Sequence, residues 1–179
     1  MPWISGNYWL NQSQMENNAK LVHGFFIQRG WTLEAISGML GNMESESSIN
    51  PGIWYGLVVG SRSYGLVQWD PYTKYSKWAG ENWQDNGPLE CQRIIYEMEN
   101  GLQWIKTSKY AVSFKDFAKS TTTPEYLAQV WLYNYERPAD LDQPQRSTQA
   151  RAWYNFLSGE PGGTLPAWLL FKFSGRGLK

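Results

Sequence analysis

The sequence predicts an α+β domain, mainly helical, with one β-hairpin. Three observations predict it: apolar residues recur at helical spacing, capping residues and prolines bound those windows, and residues 53–69 switch to β-branched and aromatic types. The first helix opens at Ser13-Gln14-Met15-Glu16, read as a capping box, and stops at Gly30 after Arg29. Thr32 caps the second, with Glu34 favoured by the dipole in its first turn. Leu33, Ile36, Leu40 and Met43 form its apolar stripe, and Asn50-Pro51-Gly52 ends it beyond Ser47. Residues 53–59 and 64–69 read as the hairpin strands, with Gly60-Ser61-Arg62-Ser63 as the loop. Asp70-Pro71 reads as a cap and first residue of a helix reaching Ala79. Pro88 opens a helix with a stripe of Cys91, Ile95, Met98 and Leu102. Thr123-Pro124-Glu125 opens another, stopped after Glu136 by Arg137-Pro138. A last helix spans 144–157 and closes at Gly159.

The division along the chain is a catalytic-sized domain over 1–158, a Gly/Pro linker over 159–164 and an apolar, basic tail over 165–179. The chain carries eleven Trp and eleven Tyr, an aromatic share of 16%. Most of these fill the core, but rings with a polar handle also suit the apolar face and hydroxyl rim of a sugar. Sixteen basic residues balance sixteen acidic ones, which argues against a nucleic-acid partner. The charge is uneven: Lys172, Arg176 and Lys179 face only Glu160 in the tail. One cysteine, Cys91, forms no internal disulfide and reads as a buried thiol. His23 is the only histidine and reads as a packing or surface residue. No nucleotide motif and no metal-ligand cluster stands out, so no cofactor and no metal is expected. Residues 1–10 lack the basic start and apolar run of a signal peptide, so the expectation is synthesis in a host cytoplasm and release by other means.

The chemistry concentrates at the end of the second helix. Glu44 and Glu46 are two apart, which separates them by about 200° around the axis. Glu46 shares the side of Met39 and Met43, whereas Glu44 is expected in solvent. Apolar surroundings and the C-terminal dipole both disfavour a negative charge, so the expectation for Glu46 is a raised pKa. A carboxylic acid protonated near neutral pH is what glycosidic cleavage needs for the leaving oxygen. On helical geometry alone a second reading stays open, that Glu46 only bonds the following loop. Tyr64-Gly65-Leu66-Val67-Gln68-Trp69 adds a glycine for close approach, an amide for sugar hydroxyls and a ring able to stack on a sugar.

Several ordered blocks carry a resemblance to a known family. Glu46-Ser47 with Asn50-Pro51, followed by Gly65-Leu66-Val67-Gln68, resembles the paired motifs of the goose-type lysozyme and lytic-transglycosylase superfamily. Gly38-Met39-Leu40-Gly41-Asn42-Met43, Ser45-Glu46-Ser47, Asn50-Pro51-Gly52 and Gly65-Leu66-Val67-Gln68-Trp69 more closely resemble the phage tail lysozyme family. Tyr135-Glu136-Arg137-Pro138 and the helix around Trp153-Tyr154 are similar to later parts of that family, so the likeness runs from about Ser13 to Gly159.

The resemblance implies a lysozyme-like fold in which the β-hairpin flanks a saccharide cleft. It implies Glu46 as catalytic acid/base, Gln68 beside the scissile bond, and Ser47, Tyr64, Trp69, Asn134 and Tyr135 as substrate-binding residues. The implied activity is that of a muramidase, cutting β-1,4 bonds between N-acetylmuramic acid and N-acetylglucosamine in peptidoglycan. Lytic transglycosylation is the alternative, in which the substrate's own 6-hydroxyl attacks. An inactive wall-binding module and a structural tail component are the non-enzymatic alternatives. The implied setting is a phage tail lysozyme or endolysin, with peptidoglycan as substrate. Tail proteins, or an anionic membrane or wall surface met through residues 165–179, are the further partners. For a second carboxylate Asp70 is the sequence candidate, with N-capping as its other reading. Glu136 reads as the ion-pair partner of Arg137 or Arg146.

Overall fold

Helix α2 is buried on nearly every side because two later helices cross it at glycines. The computed structural model describes residues 1–159. The helices are α1 (Gln12–Ile27), α2 (Leu33–Ser47), α3 (Thr73–Ala79), α4 (Gly87–Glu99), α5 (Phe114–Lys119), α6 (Pro124–Trp131) and α7 (Gln145–Ser158). A π-helical turn, Leu132–Glu136, continues α6. The most extensive packing is between α2 and α7, then α2 and α6. A Cβ on Gly38 would lie 2.8 Å from the Leu127 side chain, and one on Gly41 only 2.4 Å from the Arg146 carbonyl. The two glycines therefore let α6 and α7 approach the α2 backbone, and Ile36, Met39, Leu40 and Met43 pack with Trp131 and Trp153 in one core.

Several boundaries follow the sequence signals. Thr32 accepts from the Ala35 amide and caps α2. Thr123 caps α6 with Pro124 in the first turn, and α7 ends at Gly159 with φ +76°. The first capping box lies two residues earlier than expected: Asn11 and Gln14 exchange side-chain and backbone bonds of 2.9 and 3.0 Å. Helix α3 starts at Thr73, so Asp70 does not cap it. Asp70 instead stands exposed, 3.3 Å from Arg62. Of the stripe expected on α4, Cys91 is buried and Ile95 and Met98 pack half-buried against the core, but Leu102 lies beyond the helix end, exposed; Glu90, Arg93, Ile94 and Glu97 complete the buried face. Helix α5 was not anticipated. It brings Phe114 and Phe117 against Trp31, Trp104 and Trp131.

The expected β-hairpin is corrected. Residues 53–55 and 63–65 meet through single bonds, Tyr55 N–H to Ser63 O and Gly65 N–H to Ile53 O, both 3.0 Å. The pairing amounts to isolated bridges, Trp54 to Tyr64 and Tyr64 to Trp69. Tyr55–Leu57 coils into a 3-10 turn, with Gly56 and Leu57 both left-handed, which ends any extended run. Aromatic edges substitute for a ladder: Trp54, Tyr64, Tyr72 and Trp83 pack with ring centroids 4.8–5.9 Å apart. The chain between α2 and α3 is thus a packed loop, and it forms the wall facing the end of α2. The linker and tail expected over 160–179 lie outside the described residues. Among the described residues no helix is long and apolar enough to cross a membrane.

The close crossing at Gly41 makes a direct prediction. Gly41→Ala should lower stability by about 1–3 kcal/mol, because α7 backbone has nowhere to move. Urea unfolding measures this, and an unchanged midpoint would show that α7 is not held against α2.

Candidate active site

Glu46 ends α2 at the surface of the packed core. Its Oε1 accepts a 2.5 Å bond from Arg146 Nη2; the Glu46 side chain is 21% exposed and that of Arg146 4%. No described residue bonds Oε2, which is open to solvent. Arg146 is held on every side: Nη1 donates to Asn42 Oδ1 at 3.0 Å and Nε to Gln143 Oε1 at 2.7 Å. Asn42 in turn donates to the carbonyls of Gly38 and Ala128. The carboxylate of Glu46 is therefore aimed by a chain of bonds that reaches three helices. Such fixed orientation is what positioned acid–base chemistry requires.

Glu44 is the larger departure from the sequence reading. It is not solvated but only 2% exposed, with Oε2 accepting from Trp153 Nε1 at 2.8 Å. Helix α7 covers the face of α2 that the apolar stripe left unassigned. Burial pushes the Glu44 carboxyl up to about 7, against the opposing bonds from Gln149 and Trp153.

Glu136 closes the π turn. Its Oε1 accepts from Trp131 Nε1 at 2.8 Å. Burial first, then the negative charge of Glu46, push it up to about 8, with Arg146 opposing. The sequence pairing of Glu136 with Arg146 or Arg137 is corrected. Arg146 bonds Glu46, and Arg137 Nη1 donates to the carbonyls of Gln103 and Asn134. Arg146 lies 100 residues from Glu46, so no local spacing signals their contact.

The loop residues fall into two groups. Gln68 is half-buried with φ +48°, and its Nε2 donates to the carbonyls of Ile53 and Gly65 at 3.2 and 3.1 Å. Among the described residues none bonds its Oε1. Ser47 is buried, and its hydroxyl donates to Leu66 O at 2.8 Å, which ties the loop to the end of α2. Gly65 is required by a close approach: a Cβ there would lie 2.6 Å from the carboxyl of Glu90. That carboxyl accepts from Leu66 N–H at 2.7 Å, and burial raises it well above the usual range.

Four residues expected at the substrate are buried. Trp69 stacks on Tyr75 with centroids 4.8 Å apart and donates to Glu97 at 2.9 Å, so its expected sugar-facing ring is covered. Tyr135 stacks on Trp131 and donates its hydroxyl to the same carboxylate, which also receives Arg93. Tyr64 accepts from Asp85 N–H. Asn134 accepts from Thr107 and donates to Tyr110 O. These contacts make all four the framework behind the site. The structure therefore joins Glu46 to Arg146 directly, with Glu136 within reach of their charges, and it places Gln68 in the wall that Ser47 fastens to α2.

A helical domain whose second helix delivers a held glutamate beside a Gly-Leu-Val-Gln loop has the features of a lysozyme-like protein. The phage tail lysozyme family matches residues 17–157, and this chain belongs to that family. The chain is also similar to Morphogenesis protein 1 of Bacillus phage B103, 45% identical over 162 residues. That match covers 88% of this chain and 44% of the relative, so the chain spans less than half of the relative's length.

The burial of Glu44 sets a pH dependence. Its folded value of about 7 exceeds the ordinary 4.5, so the stability it contributes is full below pH 4.5 and lost as pH rises through 7. Glu44→Gln keeps an acceptor for the Trp153 indole and removes the ionisation. The loss of stability between pH 5 and pH 8 should then be smaller in the variant by about 2–3 kcal/mol. Urea unfolding at both pH values checks this, and equal pH dependence in the two proteins would mean that Glu44 does not titrate in that window.

Proposed function

We propose that this domain is a peptidoglycan muramidase, with Glu46 as its general acid. The observation that carries the reading is the setting of Glu46: one oxygen is fixed by a buried guanidinium, no described residue bonds the other, and the adjoining Ser47 ties the loop that carries Gln68 to the end of α2. In the reaction Glu46 gives its proton to the glycosidic oxygen as the bond to C1 of the muramoyl residue breaks. Water then adds at C1, a reducing end forms, and the proton of that water returns to Glu46. Gln68 supports this role with its unengaged Oε1, which is suited to accept from the attacking water or from an acetamido N–H. Ser47, Tyr64, Trp69, Asn134 and Tyr135 serve by holding the walls in place. The family membership and the phage relative support a setting on the bacterial cell wall as part of, or released by, a phage.

One observation favours lytic transglycosylation as a second reading. Asp70, the carboxylate offered for a second catalytic role, is exposed and paired with Arg62. A mechanism in which the substrate's 6-hydroxyl attacks needs no such group.

Glu46→Gln should fold normally and lose activity on cell walls by a factor of about 10² or more. Wild-type turnover in the folded variant would remove Glu46 from the role. Mass spectrometry of the released muropeptides should show reducing ends; 1,6-anhydro ends would establish the transglycosylase instead. Gln68→Ala should lower kcat more than it raises KM, and a change in KM alone would make Gln68 a binding residue.

A further inference from the structure

The side chain of Gln68 hangs on one peptide unit of its loop. The Gly65 carbonyl accepts from Gln68 N–H and from Gln68 Nε2, each at 3.1 Å. At the other edge of the same peptide, Leu66 N–H donates to Glu90 Oε2 at 2.7 Å. A peptide is planar, so the direction of its N–H fixes that of its C=O. Glu90, in the first turn of α4, and the amide of Gln68 therefore grip opposite edges of one rigid plate. A Cβ on Gly65 would lie 2.6 Å from Glu90 Oε2, so a glycine is needed for this grip. The same glycine, at φ +81°, lowers the resistance of the peptide to a flip. A flip would turn the Gly65 carbonyl away from Gln68 and leave its Nε2 bonded to the Ile53 carbonyl alone. Ser47 holds the next carbonyl, Leu66 O, and not this peptide. Glu90 is fully buried, has no ion-pair partner among the described residues, and its Oε1 is bonded by none of them. A buried acid left half-satisfied calls for a reason beyond packing.

We propose that Glu90 is a positioning residue for Gln68: it locks the Gly65–Leu66 peptide in the orientation that keeps Gln68 Nε2 bonded and Oε1 unengaged for the substrate. The proposal rests on the muramidase reading, in which Gln68 serves the reaction. Nε2 has two hydrogens, and the carbonyls of Gly65 and Ile53 take both. With both bonds made, the plane of the side-chain amide is set, and the place of Oε1 with it. With the Gly65 bond lost, the amide turns about the one that remains. Glu90 itself lies beneath the wall and touches no substrate. Its effect falls on turnover, because a misaligned Gln68 costs the transition state more than ground-state binding. Burial raises the Glu90 carboxyl well above the usual range, so an uncharged acceptor of the same shape suits the place.

The test compares Glu90→Met, which keeps the volume without an oxygen acceptor, with Glu90→Gln, which keeps an acceptor for Leu66 N–H. Rates on purified glycan strands are measured below the unfolding midpoint of each protein. Glu90→Met should lower kcat by about tenfold with KM within about twofold, and Glu90→Gln should restore kcat to within about twofold of wild type. In a Gln68→Ala background, Glu90→Met should lower kcat by no more than about twofold further, since both changes disable one group. An unchanged kcat in Glu90→Met, an equal loss in Glu90→Gln, or losses that multiply in the double variant overturns the proposal. Should Glu90→Met not fold, Glu90→Asp, which draws the carboxyl back from the Leu66 amide, carries the same comparison. A second arm needs no activity: the Gln68 side-chain amide is followed by NMR. Its proton exchange should be fast in Glu90→Met and slow in Glu90→Gln and the wild type, and equal rates in all three overturn the lock. A wild type that leaves glycan uncut, or a Gln68→Ala protein with full turnover, sinks the reading of the site instead, and the NMR arm still decides whether Glu90 holds Gln68.

Discussion

The guanidinium of Arg146 is the point at which the three helices of the site meet. It enters from the first turn of α7, bonds Asn42 and Glu46 on α2, and through Asn42 is linked to the Ala128 carbonyl on α6. That geometry exists only because α7 lies against the backbone of α2 at Gly41. A longer crossing distance would leave the guanidinium short of Glu46, and a buried, unpaired cation would cost several kcal/mol. The small residue in α2, the buried cation in α7 and the orientation of Glu46 are therefore one constraint seen at three places.

The loop wall depends on a different kind of contact. It has almost no ladder bonding, and its shape comes from rings packed edge to face and from buried carboxyls beneath it. Glu90 reaches the Leu66 amide through the space left by Gly65, while Glu97 gathers Trp69, Tyr135 and Arg93. Acids in such positions are expensive to ionise, but each supplies acceptors to donors that water cannot reach. The residues that look like a substrate-binding motif thereby act as the mounting of the wall. Within that motif the Oε1 of Gln68 is bonded by none of the described residues.

Local signals were legible in the sequence where the physics is local. Thr32, Thr123, Pro124 and Gly159 set helix ends through bonds within a few residues, and the structure keeps them. Glu46 at the end of α2 was legible for the same reason. The environment of Glu44 was not, because the Trp153 that covers it is 109 residues away. The hairpin failed since β-branched residues specify strands only when a partner strand exists, and Val58 and Val59 are exposed at the loop tip. Helix α5 has six residues, too few for a periodic stripe to show. Arg146 and Glu136 were visible as residues but not as neighbours of Glu46, since a contact of that range is set by helix packing and not by spacing.

The buried acids also alter how the whole molecule behaves in an electric field. Counting every carboxyl as ionised gives a formal net charge of zero and an isoelectric point near 6.6. Burial raises the carboxyls of Glu90, Glu136 and Glu44 above the ordinary range, Glu136 to about 8 and Glu44 to about 7. The folded protein accordingly carries a more positive net charge near neutral pH than its balanced composition implies. It should focus at a higher pH when native than when denatured, and a polyanionic meshwork would draw it in rather than meet it as neutral.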